Sequence, residues 1–163
     1  MKQVMTSNLW DECGNGSIDG FHTTWLRMLI NKLNANDEIK EYRKLAPWFI
    51  SLTSNSLNSL LTNPWKVFYS YGHFLITESW VNPHFKRQIK GLDRVGYLEN
   101  DILIYFTKHI ELDPLHTKEM LKGIEKMSPN LSKQEINAIL FGAHQAIQSG
   151  TIMYNYLNKY FNK

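Results

Sequence analysis

The chain has 163 residues, 43% hydrophobic and 20% charged, which is enough for one sizeable core and excludes disorder as the main state. Eighteen Lys and Arg against 15 Asp and Glu leave a net charge of +3, too mild and too scattered for a nucleic-acid arm or a polybasic membrane anchor. The single cysteine, Cys13, excludes an internal disulfide framework and a cysteine-rich zinc site, and a reducing cytoplasm is the simplest compartment. Residues 1–8 carry no apolar signal-peptide core, and no run of about 18 apolar residues is present to span a membrane. The 5 Trp, 8 Tyr and 8 Phe need a packed interior or a pocket.

In chain order, the pattern predicts helices over about 2–12, 20–34, 37–44, 54–61, 64–80, 83–93, 97–126 and 132–160. The first ends at the break Gly14-Asn15-Gly16. Asn63-Pro64 and Asn82-Pro83 each place a capping residue before a proline suited to a first helical turn. Pro114 predicts a bend in the seventh helix. Ser132-Lys133-Gln134-Glu135 is a capping-box sequence. It opens the last apolar-periodic run, Ile136, Leu140, Ala143, Ile147, Tyr154, Leu157 and Phe161, with a bend expected around Ser149-Gly150. No segment alternates long enough to predict a strand. The fold class is all-α, a single helical domain over 1–163.

Some residues do not suit a plain bundle. On the helix from 97 onward, Ile102, Phe106 and Ile110 form an apolar stripe beside a polar one of Asp101, Tyr105, His109, Asp113 and His116. The steps of four and three from His109 to Asp113 to His116 set two imidazoles and a carboxylate on one face, a metal-chelating edge suited to iron, manganese or zinc. The bland alternative is a solvated helix face. Glu78 follows Tyr71, Gly72 and Leu75. A carboxylate there is expensive to bury without a cation, and otherwise points to water or pairs with Lys86. Gly72 suits close approach of a neighbouring helix. Glu12 closes one helix and His22 opens the next, while Asp19-x-x-His22 has the same spacing as Asp113-x-x-His116. Spacing alone leaves Glu12 and Asp19 open. His73, His144 and Cys13 read as structural residues. Phe21, Trp25 and Tyr71 read equally as pocket walls and as core, and Tyr105 reads as core.

Three segments resemble the haem-oxygenase-like di-iron oxidases, or iron-containing redox enzymes. They are Asn8-Leu9-Trp10-Asp11-Glu12-Cys13-Gly14-Asn15-Gly16 followed by His22, Glu78 at 31 residues before His109, and His109-x-x-x-Asp113-x-x-His116. The resemblance spans about residues 8–120 and prefers Glu12 over Asp19. It implies six iron ligands, Glu12, His22, Glu78, His109, Asp113 and His116, with Glu78 bridging. It also implies two Fe(II) ions per chain, with Mn as a substitute, and dioxygen activation to oxidise a small amine, amino acid or fatty acid. Family members carry further helices ahead of the first ligand helix. The expected fold is therefore a haem-oxygenase-like bundle, N-terminally shortened. One apolar wall, with Trp10 and Trp25, is expected to be uncovered, to be closed by a homodimer or by the rest of a longer reading frame. No nucleic-acid or membrane partner is expected. Two other readings stand beside this one: a metal-free binding or regulatory protein of the same fold, and a zinc hydrolase using His109, Asp113 and His116. The second lacks the general base that a His-Glu-x-x-His helix supplies.

Overall fold

The computed structural model describes residues 1–35 and 39–162. Among the described residues the secondary structure is helical, in the order α1 (Lys2–Glu12), α2 (His22–Lys32), α3 (Ile39–Leu45), α4 (Leu52–Leu61), α5 (Val67–Arg94), α6 (Asn100–Glu125) and α7 (Lys133–Phe161), with short 3-10 turns between. Among the described residues no helix is long and apolar enough to cross a membrane. Residues 37 and 38 of the third predicted helix lie outside the described residues. The chain divides into two compact units. The first comprises Met1–Ile39 and Glu78–Lys126, and the second Lys40–Thr77 and Met127–Lys163.

In the first unit α1 and α2 both pack on α6. The apolar centre is Leu29, Ile102 and Phe106, ringed by residues that include Leu33, Phe85 and Ile89. This confirms the inward face expected for Ile102 and Phe106. Asp101, from the neighbouring polar stripe, pairs instead with Lys32 at 2.9 Å, in a half-exposed contact of small energetic value.

Asn82-Pro83 does not start a helix, against expectation. α5 runs unbroken from Val67 to Arg94 through Pro83. The reason lies in α6, which is also continuous through Pro114. Proline has no N–H, so Pro114 cannot bond the carbonyl of Ile110 four residues earlier. The side-chain amide of Asn82 donates to that carbonyl at 2.8 Å. Asn82 is therefore spent on a neighbouring helix rather than on capping its own. Asn63 does cap, accepting from the Trp65 N–H at 3.1 Å over the 3-10 turn that leads into α5.

The second unit is built on close backbone approach. A Cβ at Gly72 would overlap the carbonyl of Ile139, and one at Gly142 would overlap the carbonyl of Tyr69. Two glycines thus let the first part of α5 and α7 touch through their main chains. The buried face of α7 is accordingly Ala138, Ile139, Gly142, Ala146, Ser149 and Gly150. The large apolar residues Ile136, Leu140, Ile147 and Phe161 lie on exposed positions. α7 is unbroken at Ser149-Gly150 and begins with the expected capping box between Ser132 and Glu135. Phe49 stacks on Tyr156 at 5.7 Å, closing the far end of this unit.

Candidate metal centre

Every candidate ligand lies in the first unit, on four helices. α1 ends at Glu12, and the chain then turns through Gly14, Asn15 and Gly16, which have φ of 59°, 54° and 85°. These left-handed values suit glycine and, next best, asparagine. A side chain on Gly14 would also collide with the backbone of Gly20 and Phe21. The tight turn, closed by a bridge between Cys13 and Phe21, brings the start of α2 back beside the end of α1. His22 Nδ1 therefore meets Glu12 Oε2 at 2.8 Å. Asp19 stays exposed on the turn.

α6 presents His109, Asp113 and His116 at its expected spacing, but toward the interior. They are 8%, 2% and 3% exposed, which rules out a solvated helix face. Glu78 is 8% exposed and meets His116 Nδ1 at 3.2 Å, rather than reaching water or Lys86. The bond from Asn82 to Ile110 pins the turn of α5 that follows Glu78 to the turn of α6 that precedes Asp113. Proline and asparagine on neighbouring helices together set the height of the facing carboxylates.

The six side chains form two groups. Glu12, His22 and His109 make one, and Glu78, Asp113 and His116 the other, with the donor atoms of each group within 4.8 Å of one another. In the first, His22 Nδ1 and His109 Nε2 face each other at 3.1 Å, and Glu12 Oε1 lies 3.9 Å from His109 Nε2. His109 Nδ1 meets the carbonyl of Tyr105 at 2.5 Å, so it carries the proton and leaves Nε2 as a lone-pair donor. In the second, His116 Nδ1 is 3.7 Å from Asp113 Oδ1. The geometry thus divides His109, Asp113 and His116 between two groups, and they do not make a single zinc triad.

These residues fit metal. Ligands held at about 2.1 Å from one ion stand about 3 to 4 Å apart, and the donor pairs here lie between 2.8 and 3.9 Å where they meet. Asp113 Oδ1 is buried without a hydrogen-bond partner. Such an orphan is costly unless a cation or proton occupies the gap. Burial, followed by the negative charge of Glu78, pushes the Asp113 carboxyl up to about 8. Burial pulls the His116 imidazole down, but its hydrogen bonds to Glu78 and Asp11, with the charges of Glu78 and Asp113, outweigh that and hold it at about 9. Without metal, protons therefore occupy the second group at neutral pH. Burial lowers His109, which keeps its ring neutral and able to ligate. Three imidazoles and three carboxylates, with no thiolate, form a borderline-to-hard set suited to iron or manganese.

Aromatic rings wall the first group. Trp25 stacks on His22 with centroids 4.7 Å apart. Tyr105 and Phe85 pack against the His109 ring at 4.5 and 5.4 Å. Of the three candidates, Trp25 is the one whose ring lies against a candidate ligand. Phe21 contributes the backbone bridge to Cys13, and Tyr71 is buried in the second unit. Trp10 is 56% exposed and Trp25 half-buried. A cavity of about 450 Å³ in this unit lies between the first turns of α1 and the last of α6, and none of the six candidate ligands lines it.

Sequence reading missed Asp11. Its Oδ2 meets His116 Nε2 at 3.0 Å. The signal was present: consecutive acids at a helix end point about 100° apart, so both cannot serve one partner.

No match was found among curated proteins or among solved structures. Residues 1–151 match the family model described as iron-containing redox enzyme. With its all-α, haem-oxygenase-like architecture and its cluster of buried histidines and carboxylates, the chain belongs to the iron-containing redox enzyme family.

Proposed function

We propose that the protein is a non-haem di-iron oxidase that activates dioxygen to oxidise a small organic substrate. The observation that carries this reading is the pairing of two three-ligand groups with buried histidines, one of which contains an orphaned, buried carboxylate oxygen. Glu12, His22 and His109 would hold one Fe(II) and Glu78, Asp113 and His116 the other, with Mn as the substitute ion. Bound there, the metal supplies the electrons and the open coordination positions that dioxygen reduction requires.

The chain's own residues do the rest. The Tyr105 carbonyl holds the His109 Nδ1 proton and so aims Nε2 at the site. Asp113 and His116 give up their protons as metal binds. The rings of Trp25, Phe85 and Tyr105 shield the two imidazoles of the first group and would give a small apolar or amine substrate a wall to lie against. The substrate is an amine, an amino acid or a fatty acid, on the strength of the family resemblance.

The test is metal analysis of protein purified without oxygen. Two irons per chain are expected. Replacing His109 with Ala removes one donor from the first group and should cut occupancy to about one ion, because a fixed geometry cannot replace a lost ligand. Iron stoichiometry unchanged in that variant would reject the assignment. No metal at all would favour the metal-free regulatory reading, and a single zinc would reject the di-iron one.

A further inference from the structure

We infer that Asp11 is a positioning residue for the second metal group, acting through His116 by fixing which imidazole nitrogen ligates. This rests on the di-iron reading above.

The geometry separates the two nitrogens of His116. Nδ1 faces two carboxylates, Glu78 Oε2 at 3.2 Å and Asp113 Oδ1 at 3.7 Å. Nε2 faces one carboxylate alone, Asp11 Oδ2 at 3.0 Å. A metal shared with Glu78 and Asp113 therefore sits on the Nδ1 side. Nε2 must then carry the remaining proton and donate it to Asp11. A carboxylate on the far nitrogen locks the tautomer, holds the ring plane and makes the ligating nitrogen more basic.

The two groups are unequal in this respect. The outer partner of His109 is a neutral backbone carbonyl, Tyr105. That of His116 is a charged side chain. The last turn of α1 serves both groups at once. Glu12 turns to His22 and His109, and its neighbour Asp11 turns to His116. Charge balance favours the same role. Two divalent ions bring four positive charges, and Glu12, Glu78 and Asp113 offset three. Asp11 supplies the fourth without occupying a coordination position, so those positions stay open for dioxygen and substrate.

The experiment isolates each group. In a His109→Ala background the Glu78, Asp113 and His116 group is left intact, and in a His116→Ala background the Glu12, His22 and His109 group is. Anaerobic Fe(II) titration by calorimetry is run on each, with and without Asp11→Asn, which removes the charge at nearly constant shape. Asp11→Asn should weaken Fe(II) binding about 10- to 100-fold in the first background and leave it within about twofold in the second. Asp19→Asn removes the same charge from the exposed turn and should change neither. An equal loss in both backgrounds, or none in the first, overturns the inference while the di-iron reading stands. A wild-type chain that binds no Fe(II) removes both. A measurement on the unmutated chain needs no variant to fold. ¹⁵N-histidine NMR of the Zn(II)-loaded protein should show His116 bound through Nδ1 with a proton on Nε2. Ligation through Nε2 would overturn the inference outright.

Discussion

The two units differ in what they bury: the first gathers its buried histidines and carboxylates in one cluster, whereas the second buries His73, Ser70 and Ser149 beside close main-chain contacts. The first encloses His22, Glu78, His109, Asp113 and His116, with Asn8 buried alongside and both of its side-chain polar atoms unpartnered. The second closes on Gly72 and Gly142, where main chain meets main chain and almost no side chain intervenes. One helix supplies both: α5 carries the glycine in its first part, and the carboxylate and proline in its second. The contrast separates a region that spends stability on chemistry from one that makes it by packing. Burying unpaired carboxylates costs free energy, whereas two glycines in contact gain dispersion and lose little side-chain entropy.

The sharpest probe of that contrast is pH, because in the first unit burial and neighbouring charges hold a carboxyl and an imidazole protonated above their ordinary range. Asp113 stays protonated to about 8 and His116 to about 9, both above their unfolded values. For each, the folded state binds the proton more tightly than the unfolded chain. Metal-free stability should therefore fall as pH rises, from about 4 to 8 through Asp113 and from about 6.5 to 9 through His116. Fe(II) must displace both protons, so its affinity should run the other way. An increase on the order of tenfold to a hundredfold per pH unit is expected below about pH 8, flattening above about 9. Anaerobic titration at pH 6, 7 and 8 measures it. A pH-independent affinity would mean that these groups are not the ligands.

The second unit should be the more sensitive to added bulk. Gly142→Ala places a methyl group on the Tyr69 carbonyl, and overpacking of this kind costs about 3 kcal/mol. Thermal melting should register that loss, while iron stoichiometry in the folded fraction stays at the wild-type value. A variant as stable as the parent would show that α5 and α7 have room to separate.

A smaller effect tests the link between helix integrity and ligand placement. Asn82→Ala leaves the Ile110 carbonyl without its donor, at a cost of about 1–3 kcal/mol. Because Glu78 and Asp113 flank that bond, Fe(II) affinity should weaken as well, by several-fold. Loss of stability with unchanged affinity would make Asn82 a repair to Pro114 and nothing more.

Much of this arrangement was legible in the sequence, because ligands repeated at helical spacing leave a local trace. The steps from His109 to Asp113 to His116 needed one helix to be read correctly, and the glycine-rich break between Glu12 and His22 announced its own turn. What escaped depends on distant partners. Asn82-Pro83 looks like a helix start in isolation. Its true role needs Ile110, 28 residues away, and the donor missing at Pro114. Asp11 gains its meaning from His116, 105 residues on. The run of Ile136, Leu140 and Ile147 marks the correct helix but not its buried face. Contact through Gly142 selects for small residues, and hydropathy patterns do not register them.

The turn at Gly14-Asn15-Gly16 also bears on the order in which the protein assembles. His22 and His109 are 87 residues apart, so their meeting carries the loop-closure entropy of about half the chain. Glu12 and His22 meet across a nine-residue loop whose backbone already favours the required bend. A two-ligand clasp can therefore form from residues 12–22 alone, without α6 as a partner. Contacts of such short range close on the scale of about 10–100 ns, far ahead of long-range docking. A metal ion captured at that stage would have two of the three ligands of its first group waiting, and the arrival of α6 would complete the site with His109.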